Sequence, residues 1–589
     1  MENTVKDLIT PEEISDLLKL NKKNFRFAIL YLMKAIKLDK INTLYKNNSD
    51  AAKANFVDAL LNKLNIKYEV NEKDIENIPE SGAIITVSNH PYGGLDGLIL
   101  LSILQKRRAD FKIVANQFLN KIPELCDNFI SVDPFRKNAN TEVNLSGIKK
   151  IINHLDSKGV IGLFPAGEVS AFKTDSMKIE DCKWSKSAGK IIYKSNTPVI
   201  PIYFYGNNGI LFNFLGMIHP SLRTLRLPSE LLNKKDCIVK VRIGKIIHPE
   251  KLKEFDDANQ MMRYLRAKTY SLGSSLDTSI GLNNFYIKNK EIKEEIIEPV
   301  EHSSIKSDLK LVKAQDLLFS TSNYDVYISE PDSIPNILKE IGRLREITFR
   351  ENGEGTNKSV DLDEFDLYYR HLFVWDRDSE KIAGSYRIGI GKEIYKKYKR
   401  KGFYLSQLFK MKKDFRDVLK CSLELGRSFV AKDYQKKHSV LFLLWKGVLA
   451  FLKMDSNKDV KFLIGPVSIS NDYSTFSKEI LIGFIKRYHF HEEYAKLVRP
   501  RKKFRPDVNE ENAEILLDAE GKDFKLIDKL ISEIELSNNK TPILLKKYLS
   551  QNAKIIGFNV DPKFNNSLDG FLIMNLANLP EETIPMLEK

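Results

Sequence analysis

Between residues 83 and 245 one pattern recurs: short apolar runs at 83–87, 112–115, 160–164, 199–205 and 238–243, separated by segments of helical character. Short apolar runs that alternate with helices constrain this stretch to an α/β domain. A second series follows at 324–328, 371–375, 381–390, 422–430 and 461–469, with a helical stretch at 438–452. Residues 285–321 lie between them, rich in Lys, Glu and Ser and poor in large apolar clusters, as in a linker or solvated helical bridge. The expected organisation is a first domain at 1–284, a linker at 285–321 and a second α/β domain at 322–589. The two series share no repeat, which marks a fusion and not a duplication.

Residues 1 to about 75 read as charged amphipathic helices. Phe25, Ile29, Leu32 and Met33 share one helical face beside the basic Lys22, Lys23 and Arg26. That face packs on a core or meets a membrane surface. The uncharged stretch 195–222 has the length of a membrane span, but Pro198, Pro201 and the turn Gly206-Asn207-Asn208-Gly209 divide it. Peripheral membrane contact stays open.

The chain carries 93 Lys and Arg against 78 Asp and Glu, a net charge of +15, which favours an acidic partner: nucleic acid, anionic lipid or an acidic carrier protein. No nucleic-acid-binding motif accompanies the charge, so nucleic acid is not the expected partner. The four cysteines form no CxxC pair, so neither a metal site nor a disulfide framework is expected. With an acidic amino terminus that lacks an apolar run, this suits a cytoplasmic protein.

The first apolar run ends in Ser88-Asn89-His90-Pro91-Tyr92-Gly93-Gly94-Leu95-Asp96-Gly97, and a helical run follows. Pro and three Gly impose a sharp turn. Such a turn can bring His90 and Asp96 together, so that the carboxylate orients the imidazole and stabilises its protonated form while it takes a proton from an attacking hydroxyl. That is a base without an enzyme nucleophile. On these residues alone, the alternative is a polar turn in which Asp96 caps the helix.

With Phe164-Pro165-Ala166-Gly167-Glu168-Val169-Ser170 and Val199-Ile200-Pro201, the turn resembles the glycerolipid acyltransferase superfamily over about residues 80–250. Its Asn-His-Pro-aromatic-Gly-Gly-Leu-Asp pattern is similar to the haemolysin-like branch. The resemblance implies that His90 and Asp96 are catalytic and that the block holding Glu168 contributes to acceptor binding. The sequence departs from the usual motif in having five residues between His90 and Asp96, and Ala166 where Glu is usual. Arg136, in Asp133-Pro134-Phe135-Arg136, falls where the family's second block places a basic residue. There it would hold an anionic acceptor through bidentate hydrogen bonds.

In the second domain Arg345-Glu346-Ile347-Thr348-Phe349 is followed by an acidic stretch holding Asp361, Asp363 and Asp366, then Gly384-Ser385-Tyr386-Arg387, then Leu423-Glu424-Leu425-Gly426-Arg427. Order and spacing resemble the N-acyltransferases related to acyl-homoserine-lactone synthases, on the N-acetyltransferase-like fold, and more closely the branch that makes ornithine or glycine lipids. The resemblance implies substrate binding by Arg345, Asp363, Asp366, Arg387 and Arg427. Glu424 is the candidate for taking the amine proton. Glu424 and Arg427 stand three apart on one strand and face opposite sides unless a bulge near Gly426 re-aims one. The acidic stretch reads more simply as a solvated loop.

Coenzyme A users on this fold bind pyrophosphate through a glycine-rich turn that opens a helix. The corresponding stretch here, Gln435-Lys436-Lys437-His438-Ser439-Val440, has no glycine. This fits acyl carrier protein as donor, with no tightly bound cofactor, and Lys399, Arg400 and Lys401 are candidates to attract the acidic carrier. The expected protein is thus two α/β acyltransferase domains, glycerolipid-acyltransferase-like followed by N-acetyltransferase-like. It would N-acylate an amino acid, ornithine placed ahead of glycine, and then O-acylate the lyso-lipid. The alternatives are a lysophospholipid acyltransferase with a carrier-docking second domain, and a membrane-surface protein without activity.

Overall fold

The computed structural model describes residues 10–12, 26–46, 56–116, 122–132, 142–173, 177–218, 220–279, 293–312, 314–436, 438–506, 510–536 and 540–581. The chain divides into two units, residues 1–279 with 508–519, and residues 280–507 with 520–589.

The first unit is built on β1 (Lys67–Val70), β2 (Ile84–Ser88), β3 (Phe111–Asn116), β4 (Phe129–Val132), β5 (Val160–Leu163), β8 (Val199–Tyr205) and β9 (Ile238–Ile243), in the order β1-β9-β8-β2-β5-β3-β4. β6 (Ala171–Lys173) and β7 (Lys178–Glu180) form a separate hairpin. β8, β2, β5, β3 and β4 run parallel, and β9 is antiparallel to β8. Each of the five apolar runs is a strand. Central β2 is buried at every position, as its lack of polar alternation requires. The helix Gly94–Leu104 that leaves its carboxyl end buries Leu95, Leu98, Ile99, Leu100, Leu101, Ile103 and Leu104, each contributing about 1.5–3 kcal/mol.

One expectation about this unit needs correction. Residues 67–70, expected in a helical segment, are the half-exposed edge strand β1, paired with β9. On the helix Arg26–Ala35, Ile29 and Met33 are buried as the shared face requires, and Phe27, Leu30 and Tyr31 are exposed. Phe25 lies outside the described residues. The uncharged stretch divides at its Pro and Gly into β8 and the helix Ile210–Ile218, and no helix among the described residues is long and apolar enough to cross a membrane.

The second unit carries β10 (Leu317–Ser320), β11 (Tyr324–Ser329), β12 (Arg370–Asp376), β13 (Lys381–Ile390), β15 (Ser422–Val430), β16 (Phe462–Ile469), β18 (Lys554–Asp561) and β19 (Ser567–Asn575), in the order β10-β11-β12-β13-β15-β16-β19-β18. β14 (Phe409–Met411) and β17 (Val498–Pro500) pair apart from it. All neighbours in the large sheet are antiparallel except β15 and β16, which run parallel and pair only over Ser422–Glu424 and Phe462–Ile464. Beyond Glu424 the two strands share no ladder.

The expected linker is part of this unit where it is described. The helix His302–Leu311 buries Ile305 and Asp308. Asp308 Oδ2 accepts from the backbone N–H of Asn336 and Ile337 at 2.6 and 2.9 Å, capping the helix Pro335–Glu351. A short helix with one buried face keeps a polar composition, which is why these residues resembled a solvated bridge. Residues 285–292 lie outside the described residues.

Candidate active sites

In the first unit the turn after β2 places His90 Nδ1 3.0 Å from Asp96 Oδ2. The same carboxylate oxygen accepts from the backbone N–H of Tyr92 and Gly93, both at 2.9 Å. An oxygen that accepts two N–H bonds is an acceptor for the ring as well, so Nδ1 carries the proton and Nε2 is left as a base. Gly93, at φ +86°, makes this geometry possible; a Cβ there would stand 2.9 Å from Leu227. Asp96 is also the third residue of its helix, so capping and pairing are two uses of one carboxylate. Burial pushes the Asp96 carboxyl above its usual value, against the pull of His90 and the two backbone donors.

The backbone of His90 is clamped on both sides. Its N–H donates to Asp181 Oδ1 at 3.1 Å, and its carbonyl accepts from Ser170 N–H at 2.9 Å. Asp181 also accepts from Ser170 Oγ at 2.6 Å and Trp184 Nε1 at 2.9 Å. Phe164, just past β5, stacks on the imidazole at 4.2 Å between centroids. Asn89 bonds Phe204 in both directions, at 2.9 and 2.7 Å, and pins the turn to β8. Asp181 had no signal in the sequence, since it lies in an irregular segment far from the turn.

Glu168 does not stand alone beside this turn: its Oε2 accepts from Arg223 Nη2 at 2.6 Å. Arg136, the expected anion holder, lies outside the described residues.

In the second unit the structure brings together Arg345, Asp363, Asp366, Arg387, Glu424 and Arg427. Arg345 Nη1 meets Asp366 Oδ1 at 2.8 Å; Arg387 Nη1 meets Asp363 Oδ1 at 2.5 Å and Asp366 Oδ2 at 3.1 Å. Arg427 Nε lies 3.2 Å from Asp361 Oδ2, and its Nη2 lies 3.7 Å from Asp363 Oδ2. The acidic stretch is therefore not a solvated loop. Asp361 and Asp366 are buried against three guanidinium groups. Burial raises the Asp361 carboxyl; at Asp366 the same push is overcome by Arg345 and Arg387, which hold it well below the carboxylate range. His371, wholly buried, is pushed down to about 4 by desolvation and by Arg345.

Arg345 and Arg387 are closed off at 0 and 1% side-chain exposure, while Arg427 and Asp363 keep 12 and 21%. The first two organise the cluster from within, and the second two form its accessible edge. Aromatic rings line the interior. The Arg387 guanidinium lies 5.3–5.6 Å from the rings of Phe365, Tyr369 and Tyr404, and that of Arg427 lies 5.1 and 4.9 Å from Tyr404 and Phe564.

Glu424 accepts from Leu405 N–H at 2.7 Å, from Tyr404 N–H at 3.1 Å and from the Tyr369 hydroxyl. Burial still pushes it up to about 7, against the pull of Tyr369. A carboxyl poised there exchanges a proton near neutral pH. Lys399, Arg400 and Lys401 are exposed on a turn that leads directly to Tyr404 and Leu405. Arg400 Nη1 also donates to the Met411 carbonyl at 2.5 Å. Among the described residues no group of His, Cys, Asp and Glu side chains is placed to hold a metal ion.

A family model described as Acyltransferase matches residues 16–279, and one described as Acetyltransferase (GNAT) domain matches residues 344–446. The glycine N(alpha)-acyltransferase of Bacteroides thetaiotaomicron is 30% identical over 49% of this chain and 88% of its own length. The protein of the same name from Phocaeicola vulgatus is 30% identical over 44% of this chain and 80% of its own length. The lyso-glycine lipid O-acyltransferase of P. vulgatus is 27% identical over 42% and 88%. Fold and sites together define an enzyme that transfers acyl groups, with two acyltransferase domains in one chain. It belongs to the same family as the glycine N(alpha)-acyltransferases that it matches.

Proposed function

We propose that this chain carries out two consecutive acylations in amino-acid lipid synthesis. The second unit transfers a 3-hydroxyacyl group to the α-amine of an amino acid, and the first unit acylates the 3-hydroxyl of the product. In the first step the amine attacks the thioester carbonyl and its surplus proton passes to Glu424; the C–S bond then breaks and Glu424 returns that proton to the leaving sulfur, which departs as the thiol. In the second the hydroxyl attacks a second thioester while His90 Nε2 takes its proton and returns it to the leaving sulfur. Asp96 holds the imidazolium that forms between these events. The observation that carries this reading is the presence, in one chain, of a His90–Asp96 pair suited to a hydroxyl and a buried carboxyl near neutrality suited to an amine.

Glycine is the proposed amino acid, on the names of the relatives; ornithine, favoured by resemblance, draws no support from them. Acyl carrier protein is the proposed donor, because residues 435–440 lack glycine and Lys399, Arg400 and Lys401 make the Lys399–Gly402 turn basic and are exposed. A peripheral site on the cytoplasmic membrane face is proposed from the exposed Phe27, Tyr31, Ile210 and Phe214. The test incubates the purified chain with 3-hydroxyacyl carrier protein and either glycine or ornithine, and reads products by mass spectrometry. N-acyl glycine followed by its O-acylated form is expected. Formation of neither from either amino acid overturns the reading.

A further inference from the structure

The helix Ile210–Ile218 turns Ile210, Leu211, Phe214 and Met217 to solvent, at 91, 49, 56 and 60% exposure. The following helix, Pro220–Asn233, carries Arg223, whose side chain is only 9% exposed. Its guanidinium lies 5.9 Å from the Phe212 ring, and its Cδ would stand 3.0 Å from a Cβ at Gly216, so it is seated against the apolar helix. Among the described residues its one ion-pair partner is Glu168, at 2.6 Å. The pair flanks the His90 turn: Val169, next to Glu168, and Leu227, one helical turn beyond Arg223, would both meet a Cβ at Gly93, at 3.2 and 2.9 Å.

A buried guanidinium at the foot of an exposed apolar surface, beside a general base, fits an amphiphile with an anionic headgroup. We infer that Arg223 binds the headgroup carboxylate of the lyso-lipid acceptor, with Glu168 as the positioning residue that fixes the guanidinium. This rests on the proposed O-acylation of an N-acyl amino acid. A guanidinium offers five donors in a planar fork, so one edge holds Glu168 while another takes a second carboxylate. With one arginine already paired to one carboxylate, the local charge suits a monoanion better than a phosphate dianion. The acyl chain then lies along Leu211, Phe214 and Met217, and the hydroxyl turns toward His90.

The experiment measures O-acylation by the full chain with two acceptors, an N-(3-hydroxyacyl) glycine and its carboxamide. Arg223→Lys and Arg223→Gln are expected to raise KM for the carboxylate about tenfold or more, and to raise that for the carboxamide much less. Glu168→Gln, which also breaks the ion pair but keeps the fork, is expected to retain the carboxylate preference; a merely structural pair would lose both acceptors alike in all three variants. Equal effects on the two acceptors, or a carboxylate preference that survives in both Arg223 variants, overturn the inference. Wild-type protein that acylates both equally overturns it too and leaves the O-acylation reading standing, whereas wild type that acylates neither overturns that reading and the inference with it.

Discussion

Glu424 and Arg427 stand three residues apart on β15, yet both reach Tyr404: Glu424 accepts its N–H at 3.1 Å, and Arg427 Nη1 lies 3.5 Å from its hydroxyl. A regular strand would place them on opposite faces. The pairing of β13 with β15 steps from Ser385 opposite Phe429 to Arg387 opposite Gly426, so β15 carries one extra residue, and Arg427 sits at φ +50°. The bulge turns Arg427 onto the face of Arg387 and Glu424, at the conformational cost of a left-handed non-glycine residue.

That geometry sets two effects against each other in Arg427→Gly. Relief of the left-handed backbone gains about 1 kcal/mol, but Asp361 loses its charge partner while buried, a cost of about 3–5 kcal/mol. Arg427→Gly is therefore expected to melt below Arg427→Lys, and both to lose N-acylation. Thermal melts of the two variants check the order; a glycine variant as stable as wild type would refute the pairing.

The pH dependence of N-acylation follows from Glu424 at about 7, since only its ionised form takes the amine proton. The acid limb of kcat/KM is expected near that value. Tyr369→Phe removes a donor that lowers the Glu424 pKa, so the limb should move to higher pH. A limb that stays in place in Tyr369→Phe contradicts the assignment of Glu424 as the base.

Stability carries the opposite sign. A carboxyl raised from 4.5 to about 7 on folding contributes most below pH 4.5, and this contribution disappears as pH rises through 7, a change of about 3 kcal/mol. Glu424→Gln is expected to be less stable than wild type at low pH because it loses an acceptor, with the gap narrowing between pH 4.5 and 8. Denaturant unfolding at those two pH values reads it, and a constant gap would refute the buried, raised carboxyl.

With carrier protein as donor, 3-hydroxyacyl carrier protein should outpace the matching coenzyme A thioester. Lys399→Glu with Lys401→Glu should slow association and flatten its salt dependence, because these exposed charges act by steering. Arg400 is left intact, since it holds the Met411 carbonyl. Rates with both donors at several salt concentrations decide; equal use of the two donors refutes the donor, and an unchanged salt profile refutes the docking turn.

The strands were legible where apolar residues ran together or alternated: β8 is a continuous uncharged run, while β9, β13 and β15 set apolar side chains at every second position among polar ones over much of their length. β1 was hidden because an edge strand of four half-exposed residues carries no apolar run. The His90–Asp96 pair was legible because one turn holds both residues. The second cluster was legible as a set of charged residues but not as an arrangement. Asp361 and Asp366 looked solvated because their arginine partners lie on separate strands and a helix, and no local pattern announces such pairing. Tyr369, Tyr404, Asp181 and Arg223 escaped for the same reason, reaching their sites through tertiary folding alone.

The central claim is that the two sites catalyse separate, consecutive steps. Its most direct test is the product distribution, by mass spectrometry, of His90→Ala and Glu424→Gln in the full chain supplied with 3-hydroxyacyl and acyl carrier proteins and glycine. His90→Ala is expected to accumulate single-chain N-acyl glycine while the doubly acylated product falls by about 100-fold or more. Glu424→Gln is expected to make little of either unless N-acyl glycine is added, which it should O-acylate at the wild-type rate. Loss of both products in His90→Ala, or undiminished double acylation there, would contradict the division of labour.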